Sequence, residues 1–178
     1  MGVEERMADR CNTIRLYSFQ TDVVYQVLKR DGVCYSKEEY VRKKYKESAK
    51  VFINAYGWFV KEAQHIVPKP EGAEYPYWAF TDLYKVDQTG DGHVLTLDVP
   101  IGEAILFDMF DWTKIMQMHY IGENESEEAT FSEELKNMGM NEFQIMTSNF
   151  YPEQKARIQE SWKRLFGHQQ AIEAGDNS

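Results

Sequence analysis

The segment 87–98 (DQTGDGHVLTLD) carries oxygen-bearing side chains at the spacing of a calcium-binding loop. Loop positions one, three, five and twelve are filled in order by Asp87, Thr89, Asp91 and Asp98. Gly92 stands at position six, where such a loop turns sharply. The last ligand is Asp rather than the longer Glu, and Pro100 blocks an exiting helix. The alternative is a β-hairpin with an Asp-Gly turn, and the sequence favours it over a metal site.

Aromatic side chains are concentrated in two short stretches, and they admit two interpretations. The first stretch holds Tyr75, Tyr77, Trp78 and Phe80 within six residues, and the second holds Phe107, Phe110 and Trp112. Strands favour such residues for core packing. The other interpretation is a pocket that stacks a planar ligand such as a nucleobase or nicotinamide.

The common catalytic motifs do not occur in this sequence. The four histidines are far apart, and neither cysteine lies in a C-x-x-C motif. No G-x-S-x-G, G-x-G-x-x-G or P-loop sequence is present. Hydrolase, Rossmann and P-loop NTPase assignments therefore lose their best support.

Charge and hydropathy argue against nucleic-acid binding and against a membrane location. The formal net charge is −9, whereas nucleic-acid binders usually present a basic footprint. The basic run at 42–46 shares its helix with glutamates, so we interpret it as a solvated helical face, with contact to an anionic partner as the alternative. No apolar stretch reaches the 18 or so residues that a membrane span requires. Residues 1–12 lack the apolar region of a signal peptide, and we expect a cytoplasmic protein.

The N-terminal half predicts one strand and two helices. Alternating side chains predict a strand at 13–19, and a helix at 22–31 follows with Thr21 as its N-cap and Gly32 as its stop. A second helix is predicted over 37–66, where apolar residues recur at helical spacing. The sequence Ser-Lys-Glu-Glu at 36–39 predicts a capping box for this helix.

The C-terminal half predicts short strands and further helices. Strands are predicted at 75–80, 94–99 and 105–107, and helices at 131–140 and 152–166. Asp111 is predicted to cap another helix that carries Trp112 to Tyr120. The segment 122–134 holds six glutamates, and we expect a mobile surface segment that contacts a protein partner.

These elements predict a single α+β domain over residues 13–167. We expect a small mixed or antiparallel β-sheet, or two such sheets, flanked by about four to five α-helices. Residues 1–12 are predicted to form a flexible leader, and residues 168–178 a disordered tail.

The order of four motifs resembles the bacterial family known as domain of unknown function 3841. These motifs are TIRLYSFQ, YPYWAF, VPIGEAILFDMFDW and ESWKRLF, and the resemblance spans roughly residues 13–166. In that family the Trp-Ala strand is typically followed by a Pro-Asp-Leu-Arg stretch. Val86, Asp87 and Gln88 stand in that region here, without a matching arginine. The family name implies no activity.

The chain also resembles, more remotely, ADP-ribosyltransferase-like domains, which bind NAD between two small sheets. The resemblance rests on a first strand with Leu-Tyr, a helix that ends in Gly, and later strands L-x-V-P and I-L-F. It implies that Asp108 and Tyr17 are catalytic, with Asp108 stabilising the positive charge that develops as nicotinamide leaves. It further implies four cofactor-binding residues, Arg15, Tyr75, Tyr77 and Trp78.

Three functional hypotheses follow. The first is an NAD-binding or NAD-using ADP-ribosyltransferase-like domain in a toxin or phage-defence setting. The second is a non-catalytic module that binds a protein partner through the acidic segment 122–134 and an aromatic surface. The third is a module that senses a small ligand.

Overall fold

Two antiparallel strands form the sheet of this protein, which a computed structural model describes over residues 12–167. Strand β1 (Thr13–Thr21) pairs along its whole length with β2 (Gly92–Pro100), so that Thr13 lies opposite Pro100 and Thr21 opposite Gly92. Seven α-helices accompany the sheet in the described part of the chain. The predicted α+β class with a small antiparallel sheet is confirmed.

The pleat of the sheet separates its two faces. Leu16 lies opposite Leu97 on one face, and Arg15 lies opposite Asp98 on the other. Leu16 is buried, as the alternation in the sequence predicts. The predicted hairpin at 87–92 is wrong, because β2 pairs with β1 and the chain before it forms a 3₁₀ turn at Leu83–Lys85.

Helix α1 (Asp22–Asp31) confirms the prediction for this segment. Gly32 adopts a left-handed conformation with φ of 74°, and its N–H bonds to the carbonyl of Leu28. Glycine pays no Cβ penalty in this conformation, which explains why the helix stops here. Thr21 occupies the N-cap position, but its side chain makes no capping hydrogen bond.

The helix predicted over 37–66 is divided into α2 (Glu38–Tyr45) and α3 (Ala49–Ala63). A 3₁₀ turn at Lys46–Ser48 separates them, and Lys46 has a positive φ of 48°. The predicted capping box does not form. Instead, the backbone N–H of Glu38 donates to the carboxylate of Glu74 at 2.8 Å, so an acceptor distant in sequence satisfies this helix end.

The aromatic segment 75–80 is not a regular strand. It makes isolated bridges at its two ends, Tyr75 with Ser36 and Phe80 with Tyr17. Pro76 lacks an N–H for a continuous ladder, and the rings of Tyr75 and Trp78 pack into the core. The strand predicted at 105–107 is also absent, and these residues form an extended loop.

Four helices form the C-terminal half. They are α4 (Met109–Met116), α5 (Glu125–Asn137), α6 (Glu142–Thr147) and α7 (Pro152–Ser161), and α7 continues as a 3₁₀ turn at Trp162–Phe166. Asp108, rather than Asp111, caps α4. The acidic segment is largely helical, so the expected mobile segment is wrong. The final helix is confirmed, with Pro152 at its first turn.

The core lies between α3 and the C-terminal helices. Its fully buried side chains include Ile115, Leu135, Ile158 and Trp162. None of the helices in residues 12–167 is both long and apolar enough to cross a membrane. The predicted leader and tail fall almost entirely outside the described residues.

Two glycine substitutions are expected to change stability in opposite directions. A Cβ on Gly92 would lie 2.5 Å from the backbone oxygen of Gln20, whereas one on Gly57 would meet no atom within 4 Å. We expect Gly92→Ala to lower the free energy of unfolding by about 1–3 kcal/mol through overpacking. Gly57→Ala should raise it by about 0.5–1 kcal/mol through helix propensity. Urea unfolding measures the free energy of unfolding of both variants. An equal change in the two variants would contradict the close contact between Gly92 and β1.

Candidate functional site

A cavity of about 340 Å³ lies beside the sheet and contains half of the predicted site residues. Leu16 and Leu97 supply one wall from the sheet, and Val60 and Ala63 supply another from the C-terminal half of α3. Two loops close the remaining sides. Their cavity-lining residues include Tyr75, Tyr77, Trp78, Ala104, Ile105 and Phe107.

The two tyrosines are anchored by their hydroxyl groups. Tyr75 donates to a carboxylate oxygen of Glu38 at 3.1 Å, and Tyr77 donates to the sulfur of Cys34 at 3.0 Å. Burial and the bond to Glu38 raise the pKa of Tyr75 to about 12. Burial, followed by the bond to Cys34, also raises the pKa of Tyr77. Both phenols are therefore neutral near pH 7 and present rings rather than bases to the cavity.

Trp78 is held in place by rings from three parts of the chain. Its ring centroid lies 5.3 Å from that of Phe59 on α3, 6.1 Å from that of Phe107 and 4.7 Å from that of Trp112 on α4. Its carbonyl accepts a hydrogen bond of 2.6 Å from the buried hydroxyl of Ser18. This packing fixes the position of the aromatic wall.

Few polar side chains reach this cavity. Gln64, Lys69 and Glu103 line it, and the ammonium of Lys69 donates to the carbonyl of Ala73 at 2.5 Å. Apolar and aromatic groups supply most of the remaining lining. Such a surface suits an apolar or aromatic ligand with a small number of hydrogen-bonding groups.

The other three predicted site residues lie elsewhere. Arg15 and Tyr17 alternate with Leu16, so they lie on the sheet face opposite to the cavity. Arg15 forms an exposed ion pair with Asp98 at 2.8 Å. Asp108 accepts a hydrogen bond of 2.6 Å from the N–H of Phe110, as the N-cap of α4. The structure thus gathers Tyr75, Tyr77 and Trp78 around one cavity, and the predicted roles of the other three stay predictions.

Sequence reasoning missed the wall that α3 contributes. Val60 and Ala63 lie on the apolar stripe that predicts a core-facing helix. Nothing in that stripe indicates that part of it faces a gap instead of a packed neighbour. The loop 103–107 was missed for a related reason, because its apolar residues resemble a strand.

A sequence profile of the family described as "Domain of unknown function (DUF3841)" matches residues 15–177. The chain belongs to this family. The resemblance to DUF3841 that four motifs indicate is therefore confirmed. No curated protein matches the chain, and no solved structure does. The DUF3841 description carries no activity, so function rests on the geometry of the chain itself.

The calcium-like segment has an internal role in this DUF3841 member. The carboxylate of Asp87 accepts hydrogen bonds from both the N–H and the hydroxyl of Thr89, at 2.9 and 2.7 Å. Residues from Gly92 onward belong to β2 rather than to a helix. Across residues 12–167, no group of three acidic, histidine or cysteine side chains is placed to hold a metal ion.

Two glutamates of the acidic segment bond to the backbone of the loop that precedes their helix. The backbone N–H of Gly122 donates to Glu128 at 3.0 Å, and that of Glu123 donates to Glu127 at 2.7 Å. Two preceding N–H groups are satisfied by other helices, Tyr120 by Glu142 and Ile121 by the hydroxyl of Ser161, both at 3.0 Å. Four consecutive backbone donors therefore bond to side chains.

Glu127 and its neighbours link this loop to the end of the chain. The hydroxyl of Tyr120 donates to Glu127 at 2.6 Å, and the guanidinium of Arg164 lies 3.6 Å from the same carboxylate. Arg164 also donates to the carbonyl of Ile121 at 2.8 Å. Glu125, by contrast, lies outside this network and is exposed to solvent.

Acid is expected to weaken this loop through Glu127. The hydrogen bond from Tyr120, with the N–H of Glu123, lowers the pKa of Glu127 from 4.5. Stability from this carboxylate is thus present above pH 4.5 and is lost as the pH falls through the lower folded-state pKa. We expect Glu127→Gln to be less stable than the natural protein at pH 7 and to lose less stability between about pH 5 and pH 3.

Urea unfolding at several pH values measures this effect. Glu125→Gln is the matched control, because Glu125 lies in the same helical turn and its side chain has no partner within the described chain. If the free energy of unfolding changed with pH identically in Glu127→Gln and in the natural protein, the stabilising role of the Glu127 carboxylate would be contradicted.

Proposed function

We propose that the protein is a binding module for a small ligand with a planar, largely apolar ring. The observation that carries the proposal is the cavity whose walls include Tyr75, Tyr77 and Trp78. Its volume of about 340 Å³ lies at the lower end of the range of roughly 300–1,000 Å³ for small-molecule sites. Fixed aromatic walls suit a ring because they stack on it without losing much conformational freedom.

NAD is the first candidate ligand, through its nicotinamide ring. The remote resemblance to ADP-ribosyltransferase-like domains supports NAD. The cavity is better suited to bind the nicotinamide ring than the phosphates of the cofactor. Among the cavity-lining residues within 12–167, Lys69 is the single basic side chain. A pyrophosphate normally requires bidentate arginines or a helix N-terminus. The pyrophosphate would therefore lie outside the cavity, at its mouth.

The chemistry of the lining favours binding over catalysis. The raised pKa values of Tyr75 and Tyr77 keep both groups protonated near neutral pH, so neither serves as a general base. Their hydroxyl groups are already bonded to Glu38 and Cys34. A sensing or carrier role needs only the rings, which remain available at the cavity wall.

A thermal-shift titration tests this proposal with nicotinamide, NAD, ADP-ribose and calcium. A ligand at 100 times its dissociation constant adds about 2.7 kcal/mol to folded-state stability. For a chain of this size, that raises the melting temperature by roughly 5–10 °C. We expect saturable shifts with nicotinamide and NAD and none with ADP-ribose, which keeps the adenine ring but lacks the nicotinamide ring. The absence of any shift with millimolar nicotinamide and NAD would contradict the choice of this ring.

Matched variants locate the binding site. Tyr77→Ala removes a cavity wall and should weaken binding about tenfold, whereas Tyr77→Phe keeps the ring and should bind normally. Ala104→Trp places a large side chain at the cavity, while Ala129→Trp places it on the exposed side of α5. Loss of binding in both tryptophan variants, or in neither, would contradict the location of the ligand in this cavity.

The second candidate is ADP-ribosyl transfer from NAD, with Asp108 as the catalytic carboxylate. Asp108 directly follows Phe107, which lines the cavity, and this adjacency favours a carboxylate near a bound ring. The strand with Leu16 and Tyr17 also pairs with the strand that ends in Val99 and Pro100. This pairing involves two of the three strands on which the resemblance rests, whereas the Ile-Leu-Phe segment at 105–107 forms a loop.

Asp108→Asn separates catalysis from helix capping. Asparagine caps a helix about as well as aspartate, so we expect the melting temperature to stay the same. Loss of a charge that stabilises the transition state should lower nicotinamide release from NAD by about 10²–10³-fold. Chromatographic measurement of free nicotinamide gives the rate. Undiminished release in Asp108→Asn would end the catalytic assignment.

A further inference from the structure

Strand β2 lies at the edge of the sheet, and no strand in the described part of the chain pairs with its outer side. The other edge of the sheet differs, because Phe80 bridges to β1 at Tyr17. None of the residues of β2 is buried, whereas β1 contains the buried side chains of Leu16 and Ser18. The outer edge of β2 is therefore the open side of the sheet.

The bridge between Tyr17 and Phe80 identifies the backbone groups of β2 that point outward. Tyr17 and Phe80 exchange two hydrogen bonds of 2.8 Å, so the N–H and C=O of Tyr17 point away from β2. Tyr17 lies opposite Thr96. In an antiparallel ladder both residues of such a pair point their backbone groups away from each other, so those of Thr96 point out from the sheet. The alternation along the strand extends this orientation to Gly92, Val94 and Asp98.

These outward backbone groups have no partner among residues 12–167, and little protects them. Outside the β1–β2 ladder, no hydrogen bond within that range involves the backbone of residues 92–98. Natural edge strands usually carry an unpaired charge, a proline or a bulge that discourages further pairing. The β1–β2 register runs without a bulge, the carboxylate of Asp98 is paired with Arg15 at 2.8 Å, and Pro100 stands at the strand end. The middle of β2 is thus open to another strand.

Helix α1 contacts the start of β2 through a side chain. The imidazole of His93 stacks on the ring of Tyr25, with centroids 4.0 Å apart, and its Nε2 lies 2.9 Å from the carboxylate of Asp22. The segment 94–98 follows this contact, and Thr96 in its middle is exposed. The free part of the edge is therefore centred on Thr96.

We propose that β2 pairs with β2 of a second copy of this chain, which extends the two-stranded sheet across both molecules. The pairing is antiparallel and is centred on Thr96, which lies opposite Thr96 of the second copy. A two-fold axis at this point relates the copies, as in most homodimers. Each outward N–H of the segment 94–98 then meets an outward carbonyl of the second copy. Pro100, which has no N–H, lies beyond this segment.

The side chains on the cavity face of β2 are complementary to themselves in this register. Leu95 lies opposite Leu97 of the second copy, and His93 lies opposite Val99. Aliphatic side chains that face each other across two strands stabilise a sheet. Leu97 and Val99 also line the cavity, so the leucines of the new strand pair adjoin the cavity wall. The two-fold axis is perpendicular to the sheet, so both cavities lie on the same face of the extended sheet.

The other face of β2 brings no like charges together. Thr96 meets Thr96 of the second copy, and Thr–Thr pairs across strands are favourable. Asp98 lies opposite Val94 rather than opposite a second carboxylate, and its charge is already paired with Arg15. Because a two-fold interface uses the same surface on both molecules, this self-complementarity identifies a second copy as the partner that the edge fits best.

Sedimentation equilibrium of the full chain, without ligand, tests this pairing from about 10 µM to about 500 µM protein. We expect an equilibrium between monomer and dimer in the natural protein. Thr96→Lys and Thr96→Glu each place like charges directly opposite at the two-fold axis, so each should raise the dissociation constant about fivefold or more. An equimolar mixture of the two variants pairs lysine with glutamate and should restore the dimer.

A matched pair of controls and a measurement on the natural protein locate the interface. Ala129→Lys and Ala129→Glu change the exposed side of α5 and should leave the dissociation constant unchanged, separately and mixed. Amide hydrogen exchange, followed by NMR, reports on β2 without any substitution. The N–H groups of Val94 and Thr96 should become protected as the protein concentration rises. Those of Leu95 and Leu97 point to β1 and should be protected at every concentration.

Three outcomes would overturn the proposal. The first is a monomer throughout the concentration range. The second is a dimer whose dissociation constant Thr96→Lys and Thr96→Glu leave unchanged, which would place its interface elsewhere. The third is a mixture of these variants that associates no more tightly than either alone. Circular dichroism and melting temperatures verify that each variant folds, and the exchange of the Val94 and Thr96 amides decides the question if one does not.

Discussion

The packing of Trp78 is the contact on which the cavity depends. Its ring meets Phe59 of α3, Phe107 of the loop before α4 and Trp112 of α4, while its carbonyl is bonded to Ser18 of β1. One residue therefore connects the sheet with two helices and a loop. These rings are large and rigid, so they cannot also fill the space beside the sheet. The cavity is the gap that remains between the fixed rings and the face of the sheet that carries Leu16.

Local signals predict the elements whose ends are set by neighbouring residues. Gly32 ends α1 and Pro152 starts α7 because each needs only a backbone conformation that its own chemistry favours. Long-range contacts decide the cases that sequence reasoning missed. The carboxylate of Glu74 replaces a local cap at Glu38, and Trp78 draws its segment into the core rather than into a strand. Three of the six predicted site residues line one cavity and three do not, since strand alternation alone cannot identify which face of a strand adjoins a cavity.

The acidic segment illustrates how composition can mislead about position. Six glutamates in thirteen residues are typical of a solvated segment. Glu127 and Glu128, however, accept consecutive backbone N–H groups, and Glu128 also pairs with Lys114. A loop with a tight path leaves donors that no regular ladder can satisfy, and carboxylates near a helix start are strong acceptors for them. The charge of this segment is thus partly a requirement of folding.

The same use of partners separates the arginines of this protein from its lysines. All five arginines in residues 12–167 form an ion pair with a carboxylate, whereas only Lys114, Lys136 and Lys163 among the lysines of that range do so. A planar guanidinium can form two hydrogen bonds with one carboxylate, as Arg15 does with Asp98 and Arg157 does with Glu134. The groups best suited to clasp a phosphate are therefore already engaged. The cavity, with Lys69 as the basic side chain of its described lining, is consequently better matched to an aromatic ring than to a pyrophosphate.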